Sequence, residues 1–155
     1  MSNEVDNEAL PQVLTNSPGF LLSQIARILS GLVAEALVPV GLAPPEYGLL
    51  KIISVQGPLM QQEFADKFQI DRTTVTSIVD GLEDRDLVIR QRSPKDRRKN
   101  LLHLTPTGHR LLTRAIRLVN KAQKKFLEPL DESEWEVVRD CLVKLLVAQS
   151  RKDRS

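Results

Sequence analysis

At 155 residues, with 41% hydrophobic and 27% charged residues, the chain has the material for one domain with a real core and helical extensions. A single cysteine excludes an internal disulfide, no uninterrupted apolar run approaches a bilayer's thickness, and the acidic start (Glu4, Asp6, Glu8) is unlike a secretory leader; a cytoplasmic protein with no membrane association is expected. The formal net charge of +2 conceals an asymmetry: residues 85–99 hold seven basic residues against two acidic ones, so this window carries +5 and everything else −3.

Residues 1–16 are polar and aperiodic, predicting a flexible N-terminal arm. Ser17 and Pro18 then offer an N-cap followed by proline at the first helical position. Leu21, Leu22, Ile25, Ile28, Leu29, Leu32, Val33, Ala36 and Leu37 follow at helical spacing over a surface wider than one stripe, and Pro39 and Gly41 close the segment. A second helix opens at Pro44 and Pro45 and stops at Gly57 and Pro58. Residues 61–68 form a third, with Phe64, Ala65 and Phe68 on one face.

After a three-residue connector, Asp71 is placed to cap a fourth helix over 72–84. Its apolar residues Val75, Ile78, Val79 and Leu82 oppose a polar face of Arg72, Thr73, Thr76, Ser77 and Asp80. Two helices joined by a short turn, the second with hydrogen-bonding residues outward, read as a helix-turn-helix. The period then changes to two. Residues 87–92 and 101–105 read as strands around a proline-bearing basic loop that includes Lys95, Asp96, Arg97, Arg98 and Lys99. A basic hairpin tip directly after a helix-turn-helix is the layout of a winged helix that contacts DNA. A winged helix used for protein–protein assembly, without an operator, is the alternative.

Thr105 and Pro106 open a fifth helix, again broadly apolar. Asp131 and Glu134 form a capping box for the last helix, with Leu130 and Trp135 at the staple positions. Its stripe includes Cys141, for which a buried, inert thiol is expected. The terminal helices hold more apolar residues than the winged portion can cover, so a symmetric homodimer is expected; a compact monomer folded back on itself is the other reading. The organisation is therefore an arm (1–16), a first dimerisation helix (17–42), a winged helix-turn-helix domain (43–105), C-terminal dimerisation helices (106–150) and a basic tail (151–155). The fold class is mostly α with a small β-hairpin wing.

Two stretches carry a family resemblance. Asp96-Arg97-Arg98-Lys99-Asn100-Leu101-Leu102-His103-Leu104-Thr105 fits the pattern D-x-R-(x)5-L-T and is followed by Gly108, and residues 71–83 match a recognition segment. On these, residues 44–112 closely resemble the MarR family of winged helix-turn-helix transcriptional regulators. The resemblance implies a double-stranded DNA partner, a homodimer on a pseudo-palindromic operator, and most often repression.

It also implies that Arg98, held by Asp96, enters the minor groove while Lys95, Arg97 and Lys99 contact phosphate. Arg72, Thr73, Thr74, Thr76 and Ser77 would face the major groove, with Arg72 and Thr73 leading. Ser77 and Gly81 stand where many members have arginine or another long or basic residue, and Ala43 and Met60 replace the polar caps often found there. Small aromatic acids act on many members. Arg27, Tyr47 and Trp135 are candidates to line such a cleft, although Tyr47 and Trp135 also read as core or staple residues and Arg27 as solvated. No cofactor or metal is expected: His103 and His109 are the only histidines. Glycine-rich phosphate loops, nucleophile elbows and Ser/His/Asp sets are absent from the sequence, so no catalytic activity is expected.

Overall fold

The structure is a computed structural model that describes residues 11–152. Most of the expected N-terminal arm and the last three residues of the basic tail lie outside the described residues. The arm's final residues, Gln12–Thr15, form a one-turn helix, α1. There follow α2 (Pro18–Leu37) with a 3-10 turn at Val38–Val40, α3 (Pro44–Gln56), α4 (Gln61–Phe68), α5 (Arg72–Asp84), β1 (Val88–Arg92), β2 (Asn100–Leu104), α6 (Pro106–Phe126) and α7 (Glu132–Lys152).

The caps explain most boundaries. Ser17 Oγ accepts from the Phe20 N–H, Asp71 from Thr74, and Thr105 Oγ1 from Gly108. At Ala43 and Met60, which lack a capping oxygen, the other half of the box remains. Glu46 and Glu63 each accept the preceding cap residue's N–H at 2.7 Å. Asp131 and Glu134 exchange both bonds, at 2.8 and 2.9 Å.

The core forms where α3, α4, α5 and the hairpin meet the end of α2 and the middle of α6. Phe64, Leu37, Leu49, Leu50, Leu82, Leu102, Val79 and Val119 are fully buried there. The antiparallel hairpin pairs Val88 with Leu104 and Arg92 with Asn100. Leu59 adds a single bridge to Leu102, whose N–H donates to its carbonyl at 2.8 Å. One residue after a Gly-Pro stop leaves no periodicity to detect, which is why no strand was expected at Leu59.

Gly108 lets α6 seat on the hairpin's base. A Cβ there would stand 2.1 Å from the Leu87 carbonyl oxygen, a collision no rotamer relieves. Thr105 reinforces the same junction, its hydroxyl donating to the Asp86 carbonyl at 2.5 Å and its N–H to that of Leu87 at 3.2 Å.

Two expectations change. Pro18–Val40, 23 residues with an 18-residue window of mean hydropathy 1.6, is long and apolar enough by length and composition to cross a membrane. A search for uninterrupted apolar runs passes over it because Gln24, Arg27 and Glu35 break the run. And Cys141 is exposed, not buried. Its helix leaves Val137, Val143, Leu145 and Leu146 more than half exposed, so the stripe that was expected to bury the thiol is open within one chain. On α2, Leu21, Leu22, Ile25 and Ile28 are also exposed, though each by less than half.

Candidate nucleic-acid interface

Helices α4 and α5 meet through a turn in which Gln69 takes the left-handed conformation (φ 52°) and the Ile70 N–H returns to the Ala65 carbonyl at 3.0 Å. Asp71 then starts α5. Its carboxylate accepts the Thr74 hydroxyl at 2.5 Å and the Thr74 N–H at 2.9 Å, and these bonds hold its pKa below the usual carboxylate range. Val75, Val79 and Leu82 are buried, which turns Arg72, Thr73, Thr76, Ser77 and Asp80 outward around one shallow depression.

All five expected recognition residues are exposed, but they are not equivalent. Thr74 has committed its hydroxyl to Asp71. Thr76 donates to the Arg72 carbonyl at 2.9 Å and accepts from Gln61 Nε2 at 3.3 Å. Among the described residues, the side chains of Arg72, Thr73 and Ser77 keep all their hydrogen-bonding capacity.

At the wing, residues 93–99 form a closed turn. The Ser93 N–H donates to the Lys99 carbonyl at 2.8 Å, and the Lys99 N–H to the Asp96 carbonyl at 2.9 Å. Buried Ser93 accepts the N–H groups of Lys95 and Asp96 on its hydroxyl, and Asp96 Oδ1 accepts the Arg98 N–H at 3.0 Å. Asp96 therefore fixes Arg98 through its backbone, and the guanidinium is left to solvent. Lys95, Arg97, Arg98 and Lys99 are exposed, as is Arg92 at the end of β1.

The charge window divides in two. Arg85 pairs with Glu46 at 3.3 Å and donates to the Gly41 carbonyl at 2.8 Å. Arg90 contacts Asp80 Oδ1 at 2.6 Å, Gln61 Oε1 at 3.0 Å and Glu83, whose carboxylate also accepts the Arg90 N–H. Partial burial opposes the Arg90 charge, but hydrogen bonds and charges from Asp80 and Glu83 outweigh it and raise its pKa. Arg90 thus ties β1 to α4 and α5, the pair that carries the outward polar face. Sequence reasoning missed this role because Gln61, Asp80 and Glu83 lie 29, 10 and 7 positions away. Once Arg85 and Arg90 are neutralised locally, the free positive charge concentrates at the wing tip, on Arg92, Lys95, Arg97, Arg98 and Lys99.

The three effector candidates stand on separate helices. Arg27 is exposed on α2 and donates to Gln24 Oε1 at 2.9 and 3.2 Å. Trp135 is half-buried on α7. Tyr47 is buried on α3; its hydroxyl has no hydrogen-bond partner, and Lys51 Nζ lies 5.6 Å from its ring centre. His103 and His109, from β2 and α6, share a cleft with Ser54.

A capped helix with an outward polar face, followed by a hairpin with a cationic tip, defines a winged helix-turn-helix of the DNA-binding kind. A profile described as MarR family matches residues 42–99. The chain is 34% identical over 113 residues to a putative transcriptional regulatory protein for the hcr operon of Thauera aromatica, covering 73% of this chain and 66% of that one. Its fold is similar to that of CouR from Rhodococcus jostii RHA1 bound to p-coumaroyl-CoA. There the TM-score is 0.77 at 33% identity, over 87% of this chain and 95% of that one. It is also similar to CouR, a transcriptional repressor, bound to a 23-mer DNA duplex, with TM-score 0.74 and 29% identity over 88% and 94% of the two chains. The chain belongs to the MarR family of transcriptional regulators.

Proposed function

We propose that this regulator is a cytoplasmic, sequence-specific repressor that binds a pseudo-palindromic operator as a homodimer and is released by a small aromatic acid, free or joined to coenzyme A. It performs no catalysis of its own. The observation that carries the DNA reading is the preformed wing tip, where five cations remain free while the neighbouring Arg85 and Arg90 are neutralised by the fold. In the proposed complex the tip's Arg98 enters the minor groove, Arg92, Lys95, Arg97 and Lys99 hold phosphates, and Arg72, Thr73 and Ser77 read the major groove. Thr74 and Thr76 position the helix.

The dimer reading is supported by the open apolar faces of α2 and α7. Covering them with a second copy also explains why α2 is apolar enough to span a bilayer without spanning one. Two-fold symmetry then sets the recognition helices about 34–36 Å apart, one turn of DNA. The effector reading is supported by the buried, unpartnered Tyr47 hydroxyl and by the p-coumaroyl-CoA bound to CouR. In this reading residues 17–42 and 106–150 form the dimer body and 43–105 the DNA-binding unit.

The test is fluorescence anisotropy on DNA from upstream of the protein's own gene, beside a scrambled duplex, with sedimentation velocity on the free protein. Tight binding to the upstream DNA alone by a dimer is expected. Equal weak binding to both duplexes would overturn the operator reading in favour of an assembly module, and a monomer at micromolar concentration would overturn the dimer.

A further inference from the structure

The chain's positive charge is held in two places, and only one of them is the wing. Outside the +5 window of residues 85–99 the sequence sums to −3; α6 alone supplies +6 of that, so everything else stands at −9. Arg110, Arg114, Arg117, Lys121, Lys124 and Lys125 are all exposed, and the helix contains no acidic residue. They recur every three or four positions opposite the buried Leu112, Ala115 and Val119, forming one stripe about 22 Å long. Arg110 donates to Thr107 Oγ1 at 3.2 Å; the other five have no hydrogen bond or ion pair among the described residues.

The fold gains nothing from this stripe. Helix α6 packs on α2 and α3 through its opposite, apolar side, and like charges three and four positions apart destabilise a helix. A bound polyanion would reverse that penalty, and the face itself says which kind. Its six cations stand one per about 4 Å of axis, close to the spacing of about 3.4 Å between phosphates along one DNA strand. The residues between them on this face, Thr113 and Asn120, are exposed and polar, of types that also bond phosphate oxygens. No apolar or aromatic side chain lies on the face to anchor a protein partner. For the same reason the apolar contacts expected between two copies would leave it uncovered. Operator DNA at the wing tip does not account for the stripe. Helix α6 leaves β2 beside Leu104, at the hairpin end remote from the tip, about 17 Å along the strand, and the stripe begins only after that.

We propose that the outer face of α6 is a second DNA-binding surface, which holds the backbone of another duplex while the wing and α5 hold the operator. The regulator then joins two DNA segments. Contact is to phosphates alone, forked from the arginines and point-like from the lysines, and carries no sequence preference.

The probe is a fluorescent scrambled duplex, offered to the full-length protein already bound to immobilised DNA from upstream of its gene. Capture is expected at low salt, with a log–log salt slope of about 5 for six phosphate contacts. Arg114→Gln/Arg117→Gln/Lys121→Gln removes three of them, so the slope should fall to about half and capture at about 100 mM salt by at least about tenfold. Circular dichroism and affinity for the upstream duplex should be unchanged in this variant, whose substitutions are all at exposed positions. Arg98→Ala should do the reverse, weakening the upstream complex while keeping capture per bound protein, so that failure of the wing reading and failure of this one are separable. Absence of capture, or equal capture by the triple variant, would overturn the second surface. Loss of affinity for the upstream duplex in the triple variant would assign the stripe to the operator's own flanks and overturn it too. Capture of fluorescent polyglutamate in place of the duplex would assign the face to an acidic protein instead.

Discussion

Replacing Lys99 by glutamine removes a cation that the fold leaves free, and replacing Arg85 removes one the fold has already used. In the proposed complex four cations of each wing hold phosphates, eight per dimer, which places a ceiling of about 7 on the wings' share of the slope of log K against log salt, at about 0.9 per phosphate contact. Lys99→Gln removes two contacts per dimer and should flatten the slope by about 1.8. The turn should survive, because it uses only the backbone of Lys99. Arg85→Gln should leave the slope unchanged, since its guanidinium is held by Glu46 and the Gly41 carbonyl. Anisotropy titrations at four or five salt concentrations between roughly 50 and 300 mM resolve a difference of this size. If both variants flatten the slope equally, counting charges in the sequence is as good as the structure and the division between free and committed arginines is wrong. An unchanged slope for Lys99→Gln would remove the wing tip from the phosphate contacts.

Gly108→Ala should destabilise the protein by about 3 kcal/mol in urea denaturation, because its methyl would sit 2.1 Å from the Leu87 carbonyl oxygen. The same change at Gly81, where a Cβ meets nothing within 4 Å, should stabilise by about 1 kcal/mol; a loss there would show that the glycine serves the helix's packing. Asp71 has a lowered folded pKa, so its cap contributes fully above the unfolded pKa and is lost as pH falls through the folded value. Urea midpoints measured downward from about pH 5 should therefore fall more for the wild type than for Asp71→Asn, which keeps a capping oxygen without a titrating group; parallel curves would contradict this. Replacing Thr73 with alanine should change base preference in a selection from random duplexes, whereas Thr74→Ala should lower stability and leave the preference intact.

The helix-turn-helix and the wing were legible because both rest on periodicity, and in Val75, Val79 and Leu82 and in the strands around residues 93–99 periodicity and burial agree. The caps at Ser17, Asp71, Thr105 and Asp131 were legible for the same local reason. What escaped was long-range or turned on a single bond. No pattern reveals that Arg90 is claimed by Asp80, Glu83 and Gln61 while Arg92, two residues on, is free. Nor does the composition of a polar face distinguish Thr73 from Thr74 and Thr76, whose hydroxyls are spent on Asp71 and Arg72. Cys141 was misjudged because an apolar stripe states that a surface needs covering without stating which chain covers it.

The closed turn at the wing separates two properties that protein loops commonly mix. Its shape depends on Ser93, Asp96 and backbone amides, and its chemistry on the side chains of Lys95, Arg97, Arg98 and Lys99, which take no part in holding it. Little ordering entropy remains to be lost when it meets a groove. The four outward side chains can therefore change over evolutionary time, or at an engineer's hand, without refolding the loop that presents them. In the proposed complex, affinity for DNA can be retuned at this tip by single substitutions that leave the presenting turn as it is.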